Sequence, residues 1–92
     1  MNVVTKRFIE CFEQLKNDNR VRSGRQFAVS LDYLPQSFSE IMNGRRDVTI
    51  ELLRKAVEKY KFNPAFLLSG EEPVFLHEAA PQTIRTLTVL TT

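Results

Sequence analysis

Apolar residues recur along the first seventy positions at helical spacing, in short stretches separated by turn chemistry. Phe8, Ile9, Phe12 and Leu15 fall at i, i+1, i+4 and i+7, one stripe of a helix from about 5 to 17, which Asn17-Asp18-Asn19 ends. Ser23-Gly24-Arg25-Gln26 has the pattern of a capping box: the Ser hydroxyl accepts an amide of the first turn, and Gln26 reaches back to the cap amide. A second helix over 23–31 follows, with Phe27, Ala28 and Leu31 inward, and breaks at Asp32, a residue type that tolerates the left-handed conformation. Pro35, with its preset φ and no amide hydrogen, suits the first position of a third helix over 35–43, which turns Phe38, Ile41 and Met42 to the core and closes at Asn43-Gly44. Thr49 caps a fourth helix over 50–61, with Glu51 near its positive end and Ile50, Leu53, Ala56, Val57 and Tyr60 at helical spacing. Asn63-Pro64 opens a short fifth helix over 64–69, punctuated by Gly70.

Beyond Gly70 the pattern changes. Residues 71–81, from Glu71 through His77 to Pro81, read as a connector, and Thr83 to Leu90 are β-branched and apolar enough to favour a strand over a helix. The expected organisation is an all-α, five-helix domain over residues 1–76, with 77–92 as a linker and a short C-terminal extension or strand. That strand finds no second strand within the chain, so it is expected to pair with its copy in a homodimer or to pack on the partner, the alternative being the first strand of a following domain.

The 92-residue length fits one hydrophobic core, and 42% hydrophobic with 26% charged residues is ordinary for a folded domain. The apolar runs are too short for a membrane span or a signal peptide, so a cytoplasmic protein is expected, without a membrane role. Cys11 is the only cysteine and His77 the only histidine, which leaves no internal disulfide and no zinc site of the usual kind. The net charge of +2 is unevenly spread: residues 1–70 carry twelve Lys/Arg against eight Asp/Glu, whereas 71–92 carry one against three. A basic front with an acidic tail fits a domain that meets a polyanion, although by itself +4 decides little.

Two short helices joined by a turn, with the small residue Ala28 at their crossing and Phe38 ten positions later, have the spacing of a helix-turn-helix. From about Phe8 to Phe75 the chain resembles the Xre/Cro family of phage-repressor-like regulators. The likeness is carried by Gln26-Phe27-Ala28, Ile41-Met42-Asn43-Gly44-Arg45-Arg46, Leu52-Leu53-Arg54-Lys55 and Asn63-Pro64-Ala65-Phe66-Leu67-Leu68-Ser69-Gly70. The stretch from Asn63 to Phe75 is similar to regulators that place a LexA-type peptidase domain after the DNA-binding domain, and in that alternative residues 83–90 are the first strand of a peptidase-like domain. Two positions depart from the pattern: Asp32 stands where the turn usually has glycine, and Leu34 where a small polar cap precedes the recognition helix.

The resemblance implies a lambda-repressor-like fold and a sequence-specific regulator of transcription, a repressor, that reads the major groove of an operator with its third helix. Carried over by position, the base-contacting residues are Gln36, Ser37 and Glu40, with Ser39 beside them. Gln matches adenine N6/N7, Ser donates or accepts, and Glu accepts from cytosine N4. Arg25, Asn43, Arg45 and Arg46 are expected on phosphates, where they fix register without reading sequence.

Each of these residues also has a plainer reading. A Ser/Gln/Glu face is usually solvated, an Arg pair after Gly44 usually marks a soluble turn, and the aromatic residues at helical spacing are core packing rather than a cofactor box. There is no Gly-rich phosphate loop and no nucleophile motif, so neither an enzyme nor a cofactor is expected. The alternative of a different class is an antitoxin that binds a toxin protein and represses its own operon, a role small Xre-like proteins also take.

Overall fold

A computed structural model describes residues 1–76, which form five helices: α1 (Val3–Asn17), α2 (Gly24–Ser30), α3 (Pro35–Met42), α4 (Ile50–Tyr60) and α5 (Pro64–Ser69). The domain is all-α, as the periodicity predicts. The expected linker and strand at 77–92 lie outside the described residues.

Most helix ends are built from the side chains that the sequence singles out. Ser23, Thr49 and Asn63 accept the amides of Gln26, Leu52 and Ala65 respectively, all at 3.1 Å. Asp32 takes the left-handed conformation at φ 55° and lets the Tyr33 amide return to the Ala28 carbonyl at 2.9 Å, which reverses the chain between α2 and α3. Leu34 precedes α3 without a side-chain cap, and Pro35 at N1 removes one of the amides that a cap would have to satisfy.

One local expectation is extended and one is corrected. Helix α1 begins at Val3 because the Asn2 side chain caps it, accepting the Thr5 amide at 2.8 Å. Gln26 reaches past the cap amide and accepts the amide of Arg22 instead, at 2.6 Å, so the reciprocal half of the capping box is displaced by one residue.

The core is an aromatic cluster with Phe27 at its hub. Its ring lies 5.0–6.1 Å from those of Phe8, Phe12, Phe38, Tyr60 and Phe62, in mostly tilted pairs. Cys11, Leu15, Ala28, Ile41, Leu52, Ala56 and Leu67 fill the space around it. Phe62, in the link between α4 and α5, is fully buried, although no helical spacing marks it. Ile50 is the converse case: its spacing turns it inward, yet it sits at the first position of α4, beyond the rim of the core, and is 80% exposed.

After α5 the chain folds back on the α4–α5 link. The Asn63 amide donates to the Val74 carbonyl (3.0 Å) and the Leu76 amide to the Lys61 carbonyl (2.7 Å), pairing Phe62 with Phe75 in an antiparallel bridge. Asn63 is buried, and its amide group donates to the carbonyls of Pro73 and Glu71 while its oxygen caps α5. Every polar atom of that buried side chain is therefore matched.

Candidate nucleic-acid interface

Helix α3 buries Phe38 and Ile41 against α2 and the aromatic cluster, which turns its opposite side outward. At 100° per residue, the positions opposite that buried pair are 36, 39, 40 and 43. Gln36, Ser39 and Asn43 are exposed and Glu40 is half-buried beneath a neighbour. Ser37 is half-buried and lies on the flank of the helix, off this row, so of the four expected base contacts it is the one the geometry does not align with the others.

The segment after α3 is fixed from both ends. Gly44, at φ 78°, donates to the Ile41 carbonyl (3.1 Å) and Arg45 donates to the Glu40 carbonyl (2.9 Å), the paired bonds of a Schellman termination. On the other side, Asp47 Oδ1 accepts the Asn2 amide and the Thr5 hydroxyl, both at 2.9 Å. The Thr5 hydroxyl in turn accepts the Val48 amide at 3.0 Å. Thr5 is fully buried, so a single hydroxyl on α1 clamps the turn that carries the two arginines. The Asn2 amide first, and then the Thr5 hydroxyl, holds the Asp47 carboxyl below the usual aspartate range. No sequence signal marks this latch, whose members are 42 and 43 positions apart.

The arginines expected on phosphates divide into two kinds. Arg25 on α2 is exposed and, with Ser39 and Met42 of α3, lines a shallow depression beside the outward row. Arg45 is exposed and makes no ion pair among the described residues. Arg46 differs: its Nε and Nη2 both donate to Glu40 Oε1, at 3.0 and 2.7 Å. Two residues assigned separate roles, one on a base and one on a phosphate, are thus held together. Glu40, and more weakly Tyr33, push the Arg46 guanidinium further toward its charged form.

Other ionic contacts lie away from this face. Arg54 on α4 pairs with Glu51 and with Glu58, the latter at 3.0 Å. The thiol of Cys11 is buried in the core and pushed up to about 12, by burial first and then by Glu10. Among the described residues, no three His, Cys, Asp or Glu side chains gather into a metal-ligating group, and no helix is long and apolar enough to cross a membrane.

No family model matches the chain, and no curated protein or solved structure matches it either.

Proposed function

We propose that this chain is a helix-turn-helix regulator of transcription of the Xre/Cro kind, acting in the cytoplasm as a repressor that reads an operator through α3. The observation that carries the reading is the outward row on α3, Gln36, Ser39, Glu40 and Asn43, flanked by Arg25 and Arg45. Hydrogen-bonding side chains occupy the centre of one helix face, and guanidinium groups without an ion pair among the described residues stand at its margins. That arrangement suits major-groove recognition, in which base edges are read from the middle of a helix and phosphates are held from its sides. In the same proposal two copies act as a homodimer on half-sites about one helical turn apart.

In vitro selection with the whole chain on random double-stranded DNA tests it. A defined motif is expected, and Gln36→Ala is expected to cost about 1–3 kcal/mol on that motif while relaxing preference at one base pair. Arg45→Ala is expected to weaken all sequences alike and to lower the salt slope by about one unit. Failure to enrich any sequence over non-specific binding at physiological salt would overturn the reading.

A further inference from the structure

The Glu40–Arg46 pair is out of place in an interface where each residue works alone. An exposed ion pair between flexible side chains adds little to stability, yet this one spans the end of a helix and draws the guanidinium back over the outward face. Arg46 lies four residues beyond the last residue of α3, whereas Glu40 is two residues inside it and follows Gln36 by four positions. Clamped to Glu40, the guanidinium is held against a residue of the outward row of α3.

The hydrogen-bond inventory says what it is free to do there. A guanidinium has five N–H donors: one on Nε and two on each terminal nitrogen. Glu40 Oε1 takes the Nε donor and one Nη2 donor. The edge formed by Nη1 and the second Nη2 hydrogen remains unused by Glu40, with the Tyr33 hydroxyl the other polar group close to this guanidinium. Two parallel donors on that edge match the O6 and N7 acceptors that guanine presents side by side in the major groove. Glu40, conversely, has one oxygen doubly engaged, and its negative charge is cancelled just where it would face a polyanion.

We propose that Arg46, buttressed by Glu40, is a base-reading residue specific for guanine in a G·C pair, and that Glu40 is its positioning residue rather than an independent reader of cytosine. This rests on the DNA-binding reading above and replaces the expected roles of both residues. A phosphate contact needs only charge, and an exposed arginine such as Arg45, with no ion pair among the described residues, supplies it. A guanidinium held in a fixed plane by a carboxylate has lost the freedom to follow a phosphate and gained the orientation that a planar bidentate contact requires.

The test is selection and quantitative binding with the full chain and four variants: Arg46→Ala, Glu40→Ala, the double variant, and Arg45→Ala. The three residues changed are exposed or half-buried and outside the core, and circular dichroism is the check that each variant folds. Arg46→Ala is expected to erase preference for guanine at one position of the motif, about 5- to 150-fold against the other bases. Glu40→Ala is expected to flatten that same position, partly, without reducing affinity for non-specific DNA, a readout that a merely structural role would not move. The double variant is expected to lose no more than Arg46→Ala alone, since the two act as a unit. Arg45→Ala should leave the position intact and weaken all sequences.

A uniform loss in Arg46→Ala, with the base preferences unchanged, overturns the proposal in favour of a phosphate contact. Loss of preference at a different position in Glu40→Ala overturns it in favour of independent reading by the carboxylate. A wild-type chain that enriches no motif removes the DNA-binding reading itself, and this inference with it.

Discussion

Replacing Thr5 by Val isolates the latch between α1 and the turn after α3. The two side chains have nearly the same shape, so no cavity opens in the fully buried site, and the change reduces to the hydroxyl. Two hydrogen bonds go: the donation to Asp47 Oδ1 and the acceptance of the part-buried Val48 amide. An orphaned donor of that kind costs about 1–3 kcal/mol, against which the added methyl recovers somewhat less than 1 kcal/mol. The expected net loss is therefore about 1–2 kcal/mol, or roughly 5–15 °C in Tm for a domain of this size. Thermal melts followed by circular dichroism at neutral pH measure it directly. The pH dependence supplies a second check with a fixed sign. Asp47 is held below its unfolded value, so its contribution is complete above the ordinary aspartate range near pH 4 and is lost as pH falls through the depressed folded value. Thr5→Val removes one of the groups responsible, and the gap between wild type and variant should narrow on acidification while the Val48 share persists. Equal stability of the two proteins at pH 7 would refute the assignment of the latch.

Phe27→Ala empties the hub of the aromatic cluster and should cost about 3–5 kcal/mol in urea titration; a loss below about 1 kcal/mol would mean that the surrounding rings collapse into the space. Gly24→Ala tests a close approach. A methyl there meets the Phe38 ring at 2.9 Å, so a substitution that would ordinarily favour a helix should instead cost about 1–3 kcal/mol, and a raised Tm would contradict the packing. Cys11, with its thiol pushed up to about 12 and fully buried, should resist alkylation by iodoacetamide at pH 8 until denaturant is added; prompt labelling of the native protein would count against that burial.

The features that the sequence disclosed share one property: their causes are local. Ser23, Thr49 and Asn63 cap helices that begin one residue later, Asp32 takes the left-handed turn, and Gly44 and Gly70 do so after α3 and α5. Each needs only its own few neighbours in the chain, so its residue type is informative. What stayed hidden depends on distance or on helix ends. Phe62 lies in a connector where the 3.6-residue period has no authority, and its burial comes from distant rings, Phe8 and Phe27 on one side and the returning segment at Phe75 on the other. The Thr5 latch joins positions 42 and 43 apart, and a lone Thr on a helix face carries no mark of its partner. Glu40 and Arg46 are separated by six, outside the i+3 and i+4 pairs that a continuous helix brings together. They meet because the left-handed Gly44 reverses the chain. On the outward face of α3 the composition was legible and the pairing within it was not.

The back-folded segment from Val74 to Leu76 also determines where the structured unit can be cut. With Leu76 bonded to Lys61, Val74 to Asn63 and the Phe75 ring against Phe62, the mechanical anchor of whatever follows is Leu76, and Gly70 at the end of the last helix is not a boundary at all. Cleavage after Gly70 strips the cover from Phe62 and leaves the buried Asn63 amide without two carbonyl acceptors. Cleavage after Leu76 disturbs neither. A fused partner or a chromophore joined beyond Leu76 therefore leaves the pairing of Phe62 with Phe75 and the acceptors of Asn63 in place.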